Sequence, residues 1–198
     1  MTAAEPAGQS ADPGPTILLV GTADTKLAEL NRLRDTLLAQ GAQVLLMDIG
    51  VGAVPGDAAM PVDIRNADVA SAAGCTLAAV RDSGDENSAM ALMAQGAARL
   101  TAQLQRDGRI QGMLALGGTM GTDLALDLAA ALPLGVPKVV LSTVANSHLI
   151  PPERIAPDLI MLLWAGGLYG LNSLCRSTLA LAAGAVVGAA RAAQPPRP

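Results

Sequence analysis

Met113-Leu114-Ala115-Leu116-Gly117-Gly118-Thr119-Met120-Gly121-Thr122 is an apolar run that breaks abruptly into three glycines and two hydroxyl side chains. Leu124, Leu128 and Leu132 follow at helical spacing. The pattern predicts a buried strand over Met113–Leu116 that hands over to a helix over Thr122–Ala131 through a glycine-rich turn. Glycine permits positive φ and a close approach of backbone to ligand, and the free N–H groups of a first helical turn attract anions. Two uses fit the turn: a phosphate cradle, or a tight strand-to-helix corner whose glycines serve packing.

The same alternation extends in both directions. Ile17–Val20 is a short apolar run ending at Gly21. The arc of Leu27, Leu30, Leu33, Leu37 and Leu38 predicts a helix from Thr25 to about Gln40, stopped by Gly41. Val44–Met47 predicts a second buried strand closing on Asp48, followed by an irregular Gly- and Pro-rich connection from Gly50 to Pro61 and a short helix over Asn66–Ala73. Glu86–Arg106 is the best-patterned helix: Met90, Met93, Ala97, Leu100 and Leu104 share one face, and the methionines read as core packing. Val139–Leu141 and Leu159–Leu163 predict two more strands, and a long helix runs from about Leu168 to Arg191. Continuous apolar runs separated by helices indicate a Rossmann-like α/β domain, a mostly parallel sheet with helices on both faces. Residues 15–191 form that domain; 1–14 read as a flexible leader and 192–198 as a disordered tail.

Composition narrows the function. A chain of 198 residues, 51% hydrophobic and 15% charged, can bury a proper core and is not a disordered chain. Phe is absent, and Trp164 and Tyr169 are the only aromatics. With a net charge of −4 and no dense basic patch, nucleic-acid binding lacks an electrostatic footing, and stacking platforms for single strands lack aromatics. Cys75 and Cys175 stand apart without CxxC spacing, as thiols do in a reducing, cytoplasmic setting. His148 is the sole histidine, which excludes a multi-His metal centre, and the amino terminus shows no secretory pattern. Ser177–Ala190 is nearly all apolar, with Gly184 and Gly188 four apart; bounded by Arg176 and Arg191, it reads as a buried helix and not a membrane span.

In open α/β sheets, ligands bind beyond the carboxyl ends of the strands. That rule brings together Gly21, Thr22, Asp24, Thr25 and Lys26 after the first strand, Asp48 after the second, Gly117, Gly118, Thr119, Gly121 and Thr122 after the third, and Ser142 and Thr143 after the fourth. Thr22 and Thr25 offer hydroxyls and amides to phosphate oxygens, with Lys26 as a point charge; Asp24 or Thr25 alternatively caps the helix. Asp48 is placed to accept ribose hydroxyls, or is a turn aspartate. The first turn is neither a Walker A loop nor a GxGxxG fingerprint. Asp24, Asp48 and Glu29 would hold Mg²⁺ only through a nucleotide, since no dedicated oxygen cage is present. No catalytic base is evident, and His148 reads as a solvated loop residue.

The segments Gly21-Thr22-x-Asp24-Thr25-Lys26-x-x-Glu29, Asp48-x-Gly50-Val51, Gly117-Gly118-Thr119-x-Gly121-Thr122, Leu132-Pro133-x-Gly135-Val136-Pro137-Lys138 and Ser142-Thr143-x-Ala145 come in a familiar order. From about Thr16 to Gly188 the chain resembles the amino-terminal half of the tomato mosaic virus resistance protein-like ATP-binding family. The resemblance implies a nucleotide-binding domain, with ATP the expected ligand and Mg²⁺ carried by it. Family members usually continue into a TIM-barrel-like domain. Two arrangements are therefore expected: a nucleotide-binding module associating with copies of itself, or an accessory subunit joined to a separate TIM-barrel-like protein acting on a small carbonyl or ester substrate. Asn146–Pro157 departs from the family pattern, and Gly167 stands where an Asp is common, which leaves open a chain that has kept the fold and lost the ligand.

Overall fold

The computed structural model describes residues 13–53, 61–164 and 170–193. Among them β1 (Thr16–Gly21), β2 (Gln43–Asp48), β3 (Gly112–Gly117), β4 (Lys138–Ser142) and β5 (Leu159–Leu163) form one parallel sheet in the order β2-β1-β3-β4-β5. The helices are α1 (Ala23–Ala39), α2 (Asn66–Ala72), α3 (Leu77–Arg81), α4 (Glu86–Arg106), α5 (Thr119–Ala131) and α6 (Ser173–Ala192), with a single 3-10 turn at Pro152–Arg154.

Side chains alternate across each strand, so the apolar runs feed two cores. Leu18, Val20, Met113, Ala115 and Val140 meet α4 and α5 on one face. Ile17, Leu19, Leu114, Leu116, Val139 and Leu141 meet α1 and α6 on the other. The split follows from chain direction. β1 to β2 and β2 to β3 step opposite ways across the sheet, and right-handed crossovers then put α1 and α4 on opposite faces. By length and composition α6 would reach across a membrane, yet Cys175, Leu179, Ala182, Ala183, Val186 and Val187 are buried in the second core. Gly184 and Gly188 lie on its exposed side.

Several boundaries differ from the sequence expectation for local reasons. α5 starts at Thr119, three residues early, because Gly118 serves as its N-cap in extended conformation (φ −73°, ψ −159°). The helix folds back so tightly that a Cβ on Gly117 would lie 2.4 Å from the Gly121 carbonyl carbon. α1 starts at Ala23 and not Thr25, because the Asp48 carboxylate accepts from the Ala23 amide at 2.9 Å; neither Asp24 nor Thr25 caps it. It ends at Gly41 with φ +77°, as glycine allows, and Arg191 of α6 donates to the Gln40 carbonyl at 2.6 Å. α6 begins at Ser173, capped by the Asn172 side chain, which accepts from Cys175 N at 2.8 Å. It continues through Ala192, into the predicted tail. Predicted residues 1–12, 54–60, 165–169 (with Gly167, Leu168 and Tyr169) and 194–198 lie outside the described residues.

At the amino end of β4 sits an ion pair with a buried lysine and a partly exposed aspartate. The Lys138 ammonium, fully enclosed, donates to the Pro133 and Val136 carbonyls at 2.8 and 3.0 Å and to the Asp158 carboxylate at 2.5 Å. Asp158 also accepts from Gly135 N at 2.8 Å, where Gly135 has φ +85°. The Leu132–Lys138 motif is thus a latch at the sheet's lower end.

Candidate functional site

β1 and β3 are neighbours whose chains leave in opposite directions, the switch point where open α/β sheets form a crevice. A cavity of about 410 Å³ opens there, between the first turns of α1 and α5 and beneath the amino-terminal half of α4. Thr22, Asp24, Thr25 and Lys26 line one side, and Gly118, Thr119 and Gly121 the other. Seven of the thirteen expected residues therefore line one cavity.

The two helix starts are unequal. At α5, Thr122 N donates to the Gly118 carbonyl at 2.8 Å, but among the described residues the Thr119, Met120 and Gly121 amides have no acceptor. These are the open donors of a helix start, and they border the cavity. At α1 the backbone is largely committed. Ala23 N goes to Asp48, while Thr25 N and Lys26 N reach the Thr22 carbonyl at 3.2 and 2.8 Å. The Thr25 amide expected to bind phosphate is therefore spent internally. What α1 offers is side chains: the Thr22 and Thr25 hydroxyls, 2.6 Å apart, and the Lys26 ammonium. Lys26 breaks the helix (φ −126°, ψ 26°), and its ammonium sits 6.0 Å from the centroid of the Trp164 ring.

Six expected residues lie behind the wall. Gly21 and Gly117 are buried strand ends. Asp48, 2% exposed, is a backbone clamp: its Oδ1 accepts from Ala23 N at 2.9 Å and Gly50 N at 2.8 Å, joining the ends of β1 and β2. Burial pushes its carboxyl above the usual range, the two amides pull it down, and the Asp24 charge pushes it further up. Thr122 and Ser142 are likewise internal, in a relay from Val144 N to Ser142 Oγ (3.0 Å), to Thr122 Oγ1 (2.6 Å), to the Gly118 carbonyl (2.7 Å). Thr143 is half-buried, and its amide holds the Gly117 carbonyl at 3.2 Å.

Asp24 occupies a slot made by glycines. Its Oδ2 accepts from Gly52 N at 2.8 Å, and a Cβ on Gly50 or Gly52 would approach the carboxylate to 2.6 or 2.5 Å. Its Oδ1 is buried without a partner among the described residues. No cluster of three or more metal-ligating side chains occurs among the described residues. Neither cysteine is in a disulfide, and burial pushes the Cys175 thiol up, away from reactivity. His148 is exposed in the loop after β4.

The apolar half of the cavity was missed. Ile49 and Val51 after β2, Met90 and Met93 of α4, and Met120 and Leu124 of α5 supply it, with Glu86 at the rim. A signal existed: the helix preceding β3 runs antiparallel to the strands, so the first turns of its core face must overhang the strands' carboxyl ends. Both methionines line the cleft, and Met93, 1% exposed, belongs to the core as well.

Comparison with known proteins gives the family. Residues 15–195 match the model of the amino-terminal domain of an uncharacterised protein family, UPF0261. A UPF0261 protein of Brucella suis is 56% identical over 183 residues, 92% of this chain and 43% of that protein. One from Clostridium tetani is 30% identical over 179 residues. The tomato ToMV susceptible protein tm-1 is 25% identical over 186 residues, 24% of its length. The chain spans less than half the length of these relatives. By the extent of the match, it belongs to the UPF0261 family, in which it corresponds to the amino-terminal domain.

Proposed function

We propose that this domain binds a nucleotide, ATP with Mg²⁺, in the crevice between β1 and β3. The carrying observation is the set of three amides at Thr119, Met120 and Gly121 that open on the cavity without acceptors. A helix start of this kind suits a phosphate. Lys26 adds the positive charge, and the Thr22 and Thr25 hydroxyls add donors from the facing side. The apolar wall of Ile49, Met90, Met93 and Leu124 suits a base. Mg²⁺ would arrive on the phosphates; Asp24 and Glu86 are the carboxylates that line the cavity. Among the described residues no base is positioned to activate water, so hydrolysis by the domain alone would be slow. The test is thermal: Mg-ATP should raise the melting temperature, and Gly121→Val should remove the shift. No shift at millimolar nucleotide would count against the reading.

A second reading has its own support. The outer edge of β5 pairs with no strand among the described residues, and Ile160 and Leu163 there are 40% and 53% exposed. This uncovered edge favours an accessory subunit that meets a separate TIM-barrel-like protein, the pair acting on a small carbonyl or ester. Co-purification and activity of the mixture alone would support it. A monodisperse homo-oligomer needing no partner would weaken it.

A further inference from the structure

The crevice has a second chamber. A cavity of about 190 Å³ lies on the other side of Met90, Thr119 and Met120, which are walls of both chambers. Its volume is about six times that of a water in the liquid, the size of one ring. Asn87 and Asp123 supply polar groups at its rim, and Leu126, Val144, Leu149 and Ile150 supply the apolar surface. Arg154 holds Asp123 through Oδ1 and the backbone carbonyl, and Oδ2 has no hydrogen bond among the described residues.

Thr119 and Met120 carry two of the three open amides, so an anion bound there stands on the border with room on both sides. A nucleotide ending at its last phosphate would fill the larger chamber only. We infer that the site is two-sided: besides ATP it takes a nucleoside diphosphate whose terminal phosphate carries a sugar or similar polyhydroxylated ring, the ring lying in the second chamber. The chemistry matches. Ring hydroxyls donate to the Asp123 carboxylate and accept from the Asn87 amide, while the C–H face of the ring rests on Leu149 and Ile150. Met90 and Met120, flexible and unbranched, can shift to let the bridge pass.

The inference rests on the nucleotide reading, and one comparison separates the two. ADP and ADP-ribose share the nucleoside diphosphate and differ only in the second ring. Calorimetric titration of the whole chain should give ADP-ribose about tenfold tighter than ADP, roughly 1.4 kcal/mol. Leu149→Trp, at a half-exposed position away from the core, should block the second chamber, bring ADP-ribose down to the ADP value and leave ADP unchanged. Equal binding of both ligands to the wild type, or a preference that survives Leu149→Trp, overturns the two-sided site while leaving nucleotide binding intact. Binding of neither overturns both.

Discussion

Asp48 and Asp158 are both carboxylates in contact with backbone amides, and they are set apart by the company they keep. Asp158 faces the Lys138 ammonium. Burial opposes its charge, but the hydrogen bonds from Lys138 and Gly135, with the lysine charge, outweigh it and hold the carboxyl below the usual range. A lowered value means stability present above the unfolded carboxylate value, about 3.9, and lost as pH falls through the folded one. Asp158→Asn should remove that acid limb and cost about 3 kcal/mol near neutrality, read by urea unfolding, because Lys138 keeps its charge in a closed site. Asp48 has no cation beside it among the described residues. Its raised value gives the opposite sign: stability present at pH below about 3.9 declines as pH rises through the folded value. Asp48→Asn keeps an acceptor for Ala23 and Gly50 and should flatten that decline. Asp48→Ala, which strands two buried amides, should cost about 2–5 kcal/mol. The sequence marked Asp48 as important from its strand-end position. It could not reveal that the carboxylate turns inward, because that depends on how closely α1 starts above β2.

At the scale of elements, the first turn of α5 carries both the fold and the cleft, and its glycines divide the work. A Cβ on Gly117 would collide with backbone of the same turn, whereas one on Gly118 or Gly121 has no neighbour closer than 3.9 or 3.7 Å. Gly117→Ala should therefore destabilise by about 1–3 kcal/mol, seen as a lower midpoint with or without ligand. Gly118→Val and Gly121→Val should leave the apo midpoint nearly unchanged and abolish the Mg-ATP shift. For the wild type at a hundredfold excess over Kd, stabilisation of about 2.7 kcal/mol corresponds to roughly 5–10 °C in a domain of this size. Strands and long helices were legible because apolar runs and 3.6-residue periodicity persist over whole elements; α4 was read at its true bounds. α3 was not, since five residues make little more than one turn and show no period. The true start of α5 was hidden for another reason: Gly118 and Gly121 discourage a helical reading locally, and only packing against β3 overrides them.

For the molecule as a whole, the two ends of the sheet have separate duties. The Lys138 latch closes the amino end and the crevice opens the carboxyl end, so the fold was predictable from repeated signals while the ligand depends on a few loop contacts. The outer edge of β5 is the least protected part of the described sheet, an uncharged Leu-Ile-Met-Leu-Leu strand. Edge strands of this kind pair readily with other chains. If copies of this domain associate through it, Ile160→Lys with Leu163→Lys should lower the apparent mass in light scattering without lowering the melting temperature.

The lysine that rests above Trp164 gives the protein an optical gauge of its own. Trp164 is the single indole in the chain and is sealed from water, so emission on selective excitation comes from one known place. An anion that draws Lys26 toward the crevice would change the electric field at that ring and with it the colour or intensity of the light. A titration followed by intrinsic fluorescence would then need no dye, and Lys26→Met should leave it silent.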